Sequence, residues 1–273
     1  MTDRYALFGH PLSHTKSPMI HGAFARETGQ DLSYDAIEAP VGGFAAAVDA
    51  FRARGGRGIN VTLPFKIDAF EYATELSERA KAAGAVNCMK FDGARAIAEN
   101  FDGVGLVNDI ERNLGFALAG KRVLLLGAGG AARGAVLPLL AGRPALLAIA
   151  NRTVAKAKRL GRHFARRERL VTGGYGDFGD EPFDIVINAT SASLRGELPP
   201  LDPRVFAVGS LAYDMVYGKG MTPFLRLAWN AGALRLADGV GMLAEQAAEA
   251  FEWWRGVRPP TPPVIAKLSV PLE

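Results

Sequence analysis

Residues Arg122–Ala132 read RVLLLGAGGAA. A short apolar strand, Val123–Leu126, runs into Gly127-Ala128-Gly129-Gly130-Ala131-Ala132, and an apolar helical pattern follows to about Leu140. This is G-x-G-x-x-A, the alanine-tolerant form of the dinucleotide fingerprint. Gly127 permits the tight turn, Gly129 lets a pyrophosphate approach the backbone, and Ala132 lets the helix lie close to the strand. The helix N-terminus then offers N–H groups and a positive dipole end to phosphates. A glycine turn alone would also suit a plain strand-to-helix connection. Here the next strand, Ala145–Ala150, also falls in place, so the turn reads as a dinucleotide site.

The kind of dinucleotide is written one strand further on. NAD sites place an acid about 20 residues downstream, where it accepts from a ribose hydroxyl. Strand Ala145–Ala150 ends instead in Asn151-Arg152-Thr153, with Lys156 one turn later. Arg152 can pair bidentately with a 2′-phosphate and Lys156 can add a second charge. NADP is therefore expected rather than NAD. The basic residues continue through Lys158, Arg159, Arg162, Arg166, Arg167 and Arg169 against one acid, Glu168. A solvated helix face accounts for these later ones equally well.

The 273 residues suit one large or two medium domains, and their formal charge of +4 demands neither nucleic acid nor a membrane surface. No run reaches the roughly 18 apolar residues of a membrane helix. The start of the chain, Met1–Phe8, is too mixed for a signal peptide. One cysteine, Cys88, excludes an internal disulfide and a cysteine-based zinc cluster, and the four histidines (His10, His14, His21, His163) lack ligand spacing. A cytoplasmic protein without a metal is expected, with monomer and homodimer both left open.

Before residue 102, strand and helix signals alternate: strands at Tyr5–Phe8, Tyr34–Ile37, Gly58–Val61 and Ala85–Phe91, helices from Ser17-Pro18 to near Gly29 and over Phe44–Arg54. Ser17 is expected to cap the first helix, with Pro18 at its first position. Asp102–Asn113 reads as a further helix. Beyond residue 150 come a helix at Val154–Arg167, strands at Asp184–Asn188 and Ala207–Tyr213, a helix opened by Thr222-Pro223, a strong helix at Gly239–Arg255 and an irregular Pro259–Pro263. Parallel strands need crossovers, so the expected class is α/β. An N-terminal α/β substrate domain with a mainly parallel sheet (residues 1–102) precedes a Rossmann-like nucleotide domain (103–238). An active site is expected in the cleft between the two.

Polar residues gather where strands end, the place open α/β sheets reserve for ligands. Asn60, Thr62 and Lys66 leave the strand Gly58–Val61, Asn87 falls within the next strand, Asn100-Phe101-Asp102 precedes a helix, and Thr15-Lys16-Ser17 follows the first strand. Singly, each is an ordinary turn or capping residue, and His14 and His21 read as structural. Together they suit a polyhydroxylated anionic small molecule.

At this point the sequence resembles the shikimate dehydrogenase family over nearly its whole length. The matching blocks are Gly9–Pro18 (GHPLSHTKSP), Asn60–Lys66 (NVTLPFK), Ala85–Asn87, Asn100–Leu106 (NFDGVGL), Gly127–Ala131, Asn151–Thr153, Asn188–Ser191 (NATS), Tyr213–Tyr217 (YDMVY) and Ala237–Gln246 (ADGVGMLAEQ). The resemblance implies reversible hydride transfer between NADPH and 3-dehydroshikimate, with Lys66 and Asp102 as catalytic pair, and it implies that the C-terminal helix region, 239–273, which carries Gln246, returns to the N-terminal domain. It implies Thr15 and Ser17 as hydroxyl donors to the substrate carboxylate, and Asn60, Thr62, Asn87, Tyr217 and Gln246 as further substrate contacts. On the cofactor side it implies Gly127, Ala128, Gly129, Gly130, Ala131, Asn151, Arg152, Thr153, Lys156, Met215 and Gly239, with Glu78 counted among them. Two positions depart from the family's usual pattern. Thr15 stands where serine is common, and Phe101 replaces a threonine beside the catalytic aspartate.

Reduction of a ketone needs a hydride at carbon and a proton for the alkoxide. A lysine, ordinarily titrating near ~10.4, is a natural acid for the second task. Asp102 would orient the substrate hydroxyl and Lys66, and oxidation of shikimate should then quicken towards alkaline pH. Two other readings of the same residues are a quinate/shikimate dehydrogenase that also accepts NAD and a non-catalytic NADP-binding regulator. Replacing Arg152 by Asp should swing preference from NADP towards NAD, measured as the ratio of kcat/KM values for the two cofactors. An unchanged ratio would remove Arg152 from the 2′-phosphate site.

Overall fold

Two six-stranded sheets organise residues 2–164, 169–179 and 181–272, which the computed structural model describes. The chain divides into two units, Met1–Gly105 with Ala244–Val264, and Leu106–Leu243 with Ile265–Glu273.

The first unit's sheet runs β2 (Leu32–Glu38), β1 (Asp3–Gly9), β3 (Gly56–Val61), β5 (Cys88–Asp92), β6 (Arg95–Glu99), β4 (Glu75–Leu76). The crossovers α1 (Ser17–Thr28) and α2 (Phe44–Ala53) make β1 parallel to both β2 and β3. Helix α1 carries Pro18 in its first turn, buries Ile20, His21, Phe24 and Ala25, and stops where Gly29 turns left-handed (φ 66°). Ser17 does not cap it. Ser17 is the first helical residue, and its N–H donates instead to Thr15 Oγ1 at 3.3 Å.

After β3 the chain folds into α3 (Lys66–Tyr72) and α4 (Glu78–Ala83) before turning antiparallel. The strand expected over Ala85–Phe91 begins only at Cys88, and β6 pairs with it as a hairpin, Asp92 opposite Arg95. Gly93, at φ 56°, sits in the two-residue connection. The core packs Phe8, Phe44, Phe51 and Phe65 with Val48, Ile59, Val61 and Met89.

The second unit's sheet is parallel throughout, in the order β12 (Arg235–Asp238), β11 (Phe206–Asp214), β10 (Phe183–Asn188), β7 (Arg122–Leu126), β8 (Leu146–Ala150), β9 (Leu170–Gly173). Counted from β7 this is the 3-2-1-4-5-6 order of a doubly wound nucleotide fold, whose order reverses between β7 and β10. Helix α6 (Gly130–Ala141) follows β7, α7 (Val154–Arg162) follows β8, and α8 (Pro223–Asn230) follows β11. Thr222 caps α8 as expected, its hydroxyl accepting from Leu225 N at 3.3 Å. Helix α7 buries Ala157, Leu160 and Gly161 and leaves Lys156, Lys158, Arg159 and Arg162 exposed. Most of its basic residues therefore form a solvated face. The expected continuation through Arg166 and Arg167, with Glu168, lies outside the described residues.

Three further helices complete the chain. Asp102–Asn113 is helical as α5 (Asp102–Asn108) and then widens to one π-turn over Asp109–Asn113. Helix α9 spans Val240–Arg255. Residues 259–261 are irregular as expected, but α10 (Pro262–Leu268) begins within Pro259–Pro263. Thr261-Pro262-Pro263 follows the logic of Thr222-Pro223, because a first helical turn needs no N–H from proline. Val264 N bonds to Thr261 O at 3.0 Å to close that turn.

Gly58, in β3, lies beneath Trp254 of α9. A Cβ there would stand 2.6 Å from Trp254 Nε1 and 2.7 Å from Met89 O, the two atoms that bond each other at 3.0 Å. Gly58→Ala should therefore destabilise the protein by about 1–3 kcal/mol through overpacking, read as a lower denaturant midpoint. An unchanged midpoint would mean that Trp254 yields freely.

Candidate active site

In the first unit the polar residues meet around one amide. Asn87, buried just before β5, accepts from Phe101 N at 2.8 Å through Oδ1. Its Nδ2 donates to Asp102 Oδ1 at 2.8 Å and to Gln246 Oε1 of α9 at 3.3 Å. Asp102, first residue of α5, holds Lys66 with its other oxygen, Nζ to Oδ2 2.6 Å. Lys66 is the first residue of α3, and the two side chains keep 27% and 20% of their surface exposed. The pair is thus partly desolvated yet open to a ligand. Asp102 N also donates to Asn100 Oδ1 at 3.1 Å, and Asn100 Nδ2 to Ala85 O at 3.1 Å, so the turn before α5 is fixed by its own side chains.

Behind this group, Asn60 of β3 donates from Nδ2 to Asn87 O at 3.3 Å and accepts from the Tyr34 hydroxyl at 2.8 Å. Tyr34 is a site neighbour that the strand pattern of β2 did not single out. Thr15 and Ser17 lie together at the start of α1, hydroxyl to hydroxyl 3.4 Å. Thr62 follows β3, with its N bonded to Phe8 O at 2.9 Å and its methyl against Gly9, where a Cβ would come within 2.5 Å. The structure therefore joins Lys66, Asp102, Asn87, Gln246 and Asn60 in one bonded set. His21 serves the core: burial pushes its imidazole down to about 3, so it stays neutral, and it stacks on Tyr34.

Phe101 does not fill this site. Its ring is buried with Cys88 and Ala250, meets Trp253 edge-on at 5.8 Å, and carries the Arg79 guanidinium 5.5 Å above it. Arg79 in turn pairs with Glu99. Burial also pushes the Cys88 thiol well up, which removes it as a nucleophile.

The second unit carries the glycine turn. Gly127 stands at φ 111°, and a Cβ there would lie 3.2 Å from Ala189 O, so both conformation and space require glycine. A Cβ at Gly129 or Gly130 would meet nothing within 4 Å. The turn thus opens onto free space at the start of α6, where phosphate oxygens would reach the first N–H groups. Ala132 is fully buried against the sheet. At the end of β8, Asn151 Nδ2 bonds to Thr153 O at 3.0 Å, and Arg152, Thr153 and Lys156 are exposed. These residues fit a phosphorylated dinucleotide.

Met215 and Gly239 touch: a Cβ at Gly239 would fall 2.3 Å from Met215 O. Tyr217, 45% exposed, follows two residues on. Glu78 belongs to the first unit, where it opens α4, exposed and paired with Lys81 at 3.2 Å. The other cofactor candidates all lie in the second unit.

Sequence reasoning also missed what supports the turn. Asp214, fully buried at the end of β11, accepts from Ser193 Oγ (2.6 Å), Thr222 Oγ1 (2.8 Å) and Asn188 Nδ2 (3.3 Å). Burial raises its carboxyl and these donors pull it back. Asn188 Oδ1 receives both Thr190 N and Thr190 Oγ1, which holds the segment facing Gly127. The NATS block at Asn188–Ser191 was its visible trace.

A doubly wound sheet with this turn, in a chain that also carries a partly buried lysine–aspartate pair, defines the class as a nucleotide-binding α/β protein. Comparison with known proteins narrows the class. The family model for the shikimate dehydrogenase substrate binding domain matches residues 7–89, that for shikimate / quinate 5-dehydrogenase 109–195, and that for the shikimate 5′-dehydrogenase C-terminal domain 239–268. A shikimate dehydrogenase (NADP(+)) of Nitrosospira multiformis is 57% identical over 98% of each chain. The structure of an Ael1 enzyme from Pseudomonas putida matches with a TM-score of 0.96 at 57% identity, covering 100% of both chains. A shikimate 5-dehydrogenase from Thermus thermophilus, in complex with NADP(H) and shikimate, matches with a TM-score of 0.86 at 30% identity over 97% of this chain and 98% of that one. The chain belongs to the shikimate dehydrogenase family.

Asn87→Ala should cost about 1–3 kcal/mol of stability, because the buried Phe101 N–H loses its acceptor. It should also lower kcat/KM by freeing Asp102. Denaturant unfolding and steady-state kinetics check both, and a variant normal in both would show that the amide holds neither group.

Proposed function

We propose that this chain interconverts 3-dehydroshikimate and shikimate with NADP as its redox partner, in the cytoplasm. The observation that carries the reading is the Lys66–Asp102 pair at 2.6 Å, held by Asn87, in a family member whose full-length relatives bear the name shikimate dehydrogenase (NADP(+)). NADPH, when bound, supplies the hydride that the ketone carbon accepts.

The remaining chemistry falls to this chain's own residues. The Lys66 ammonium polarises the carbonyl and gives its proton to the alkoxide, and neutral Lys66 takes that proton back in the oxidising direction. Asp102 keeps the ammonium in place through Oδ2 while Asn87 pins Oδ1, so the carboxylate cannot rotate away as the proton moves. Thr15 and Ser17 receive the substrate carboxylate with two adjacent hydroxyls. Asn60, Thr62, Gln246 and Tyr217 address its hydroxyls. Asn87 works mainly through Asp102, since its amide already bonds Phe101, Asp102 and Gln246.

The residues that would hold NADP are Gly127–Ala131 for the pyrophosphate, Asn151, Arg152, Thr153 and Lys156 for the phosphorylated ribose, and Met215 and Gly239 for the nicotinamide end. Glu78, exposed and engaged by Lys81, is given no role.

Purified protein mixed with shikimate or quinate and NADP or NAD is followed by nicotinamide absorbance. Shikimate with NADP should react best, and silence with every pair would favour a non-catalytic NADP-binding protein. Lys66→Ala should lose roughly 10²–10⁴ in kcat, the range of one acid–base group, while still binding NADP. Near-normal turnover in that variant would sink the assignment.

A further inference from the structure

Tyr34 stands on β2, on the far side of β1 from β3, in register with Tyr5, which itself pairs with Gly58. Its ring nevertheless spans β1, and its hydroxyl reaches Asn60 Oδ1 at 2.8 Å. The phenol therefore touches a residue that the proposed function gives to the substrate.

We infer that Tyr34 is a positioning residue of the substrate site, fixing which edge of the Asn60 amide faces the ligand; this rests on the proposed function. An asparagine amide has an accepting edge and a donating edge, and reversal exchanges them. Asn60 is buried, so water does not settle the choice. The protein settles it from both sides. Tyr34 O–H donates to Oδ1, and Nδ2 donates to the backbone carbonyl of Asn87 at 3.3 Å. A reversed amide would set its oxygen against that carbonyl, acceptor to acceptor. The remaining Asn60 N–H is then presented as a donor to a substrate hydroxyl.

The ring itself has no freedom. It stacks on His21 with centroids 4.1 Å apart and planes 5° from parallel, and Trp254 closes the same cluster 5.5 Å from His21. Phe24 and Phe251 also pack on His21. A phenylalanine would serve such packing as well as Tyr34 does. The hydroxyl is what the packing does not account for.

Tyr34→Phe removes that oxygen alone and leaves the stack. The expected result is a KM for shikimate about 3- to 10-fold higher, the size of one hydrogen bond, with kcat and the KM for NADP within about twofold of wild type. In an Asn60→Ala background the same change should add less than about twofold, because Tyr34 acts through Asn60. An unchanged shikimate KM in Tyr34→Phe, or an equal rise in both backgrounds, would overturn the inference. The wild-type rate with shikimate and NADP tests the proposed function separately. Should that rate be nil, the crystal structure of Tyr34→Phe decides: a rotated Asn60 amide supports the positioning role, and an unmoved one refutes it.

Discussion

The side-chain amide of Asn87 is the contact on which the first unit's site depends. It sits where the parallel half of the sheet gives way to the antiparallel hairpin, just before β5, and its backbone carbonyl accepts from both Val61 N and Asn60 Nδ2. Its oxygen binds the backbone that leads into α5, and its nitrogen binds the carboxylate that opens that helix. Strand end, helix start and α9 are therefore referred to one group. A buried amide with every edge engaged leaves no low-energy alternative, because each lost bond would strand a polar atom away from water. The lysine–aspartate pair inherits its geometry from that constraint. Two flexible side chains would otherwise form a loose surface ion pair of little value.

The second unit solves a different problem by similar means. A phosphate site built from backbone N–H groups needs a turn so close to its neighbours that no side chain fits. Gly127 against Ala189 meets that need, and Asn188 holds the facing segment through Thr190. Asp214 then anchors Asn188 at a cost, since burial works against its charge. Four donors of uncharged chemistry offset it: a serine, a threonine, a side-chain amide and the Val216 N–H. None of these donors is a cation, so the support itself brings no fixed positive charge to the glycine turn. Arg152 and Lys156 stand exposed at the β8 end.

Much of this was legible in the sequence because it is local. A glycine turn, a proline one residue after a hydroxyl, and an apolar run of five to seven residues each declare themselves within one window. Lys66 and Asp102 were legible as members of short blocks, although nothing in their spacing says that they touch. What stayed hidden is what depends on pairing between distant strands. Tyr34 alternates with its neighbours like any half-buried strand residue, and only the reach over β1 reveals its partner. The edge strands β9 and β12 are four residues each and carry polar side chains, so their pattern is too short to stand out. The hairpin of β5 and β6 did have a signal, Asp92-Gly93, which marks a tight turn between strands. The tail helix α10 was masked by its prolines, which break a helix in its middle and favour it at its start.

Phe101 shows how a departure from a family pattern can be absorbed. A large ring beside Asp102 would be expected to crowd a ligand at the Lys66–Asp102 pair. In a turn whose backbone is fixed at Phe101 N and Asp102 N, however, consecutive side chains must point apart. Asp102 turns to Lys66, so Phe101 turns to α9, and the sequence supplies what a buried ring needs there. Trp253 gives an edge contact, Ala250 and Cys88 give room, and Arg79, held by Glu99, covers the face. The same ring ties α9, which bears Gln246, to the turn that bears Asp102. A hydroxyl lost from the turn is thus exchanged for a packing contact, and the substitution alters how the site is braced more than what lines it.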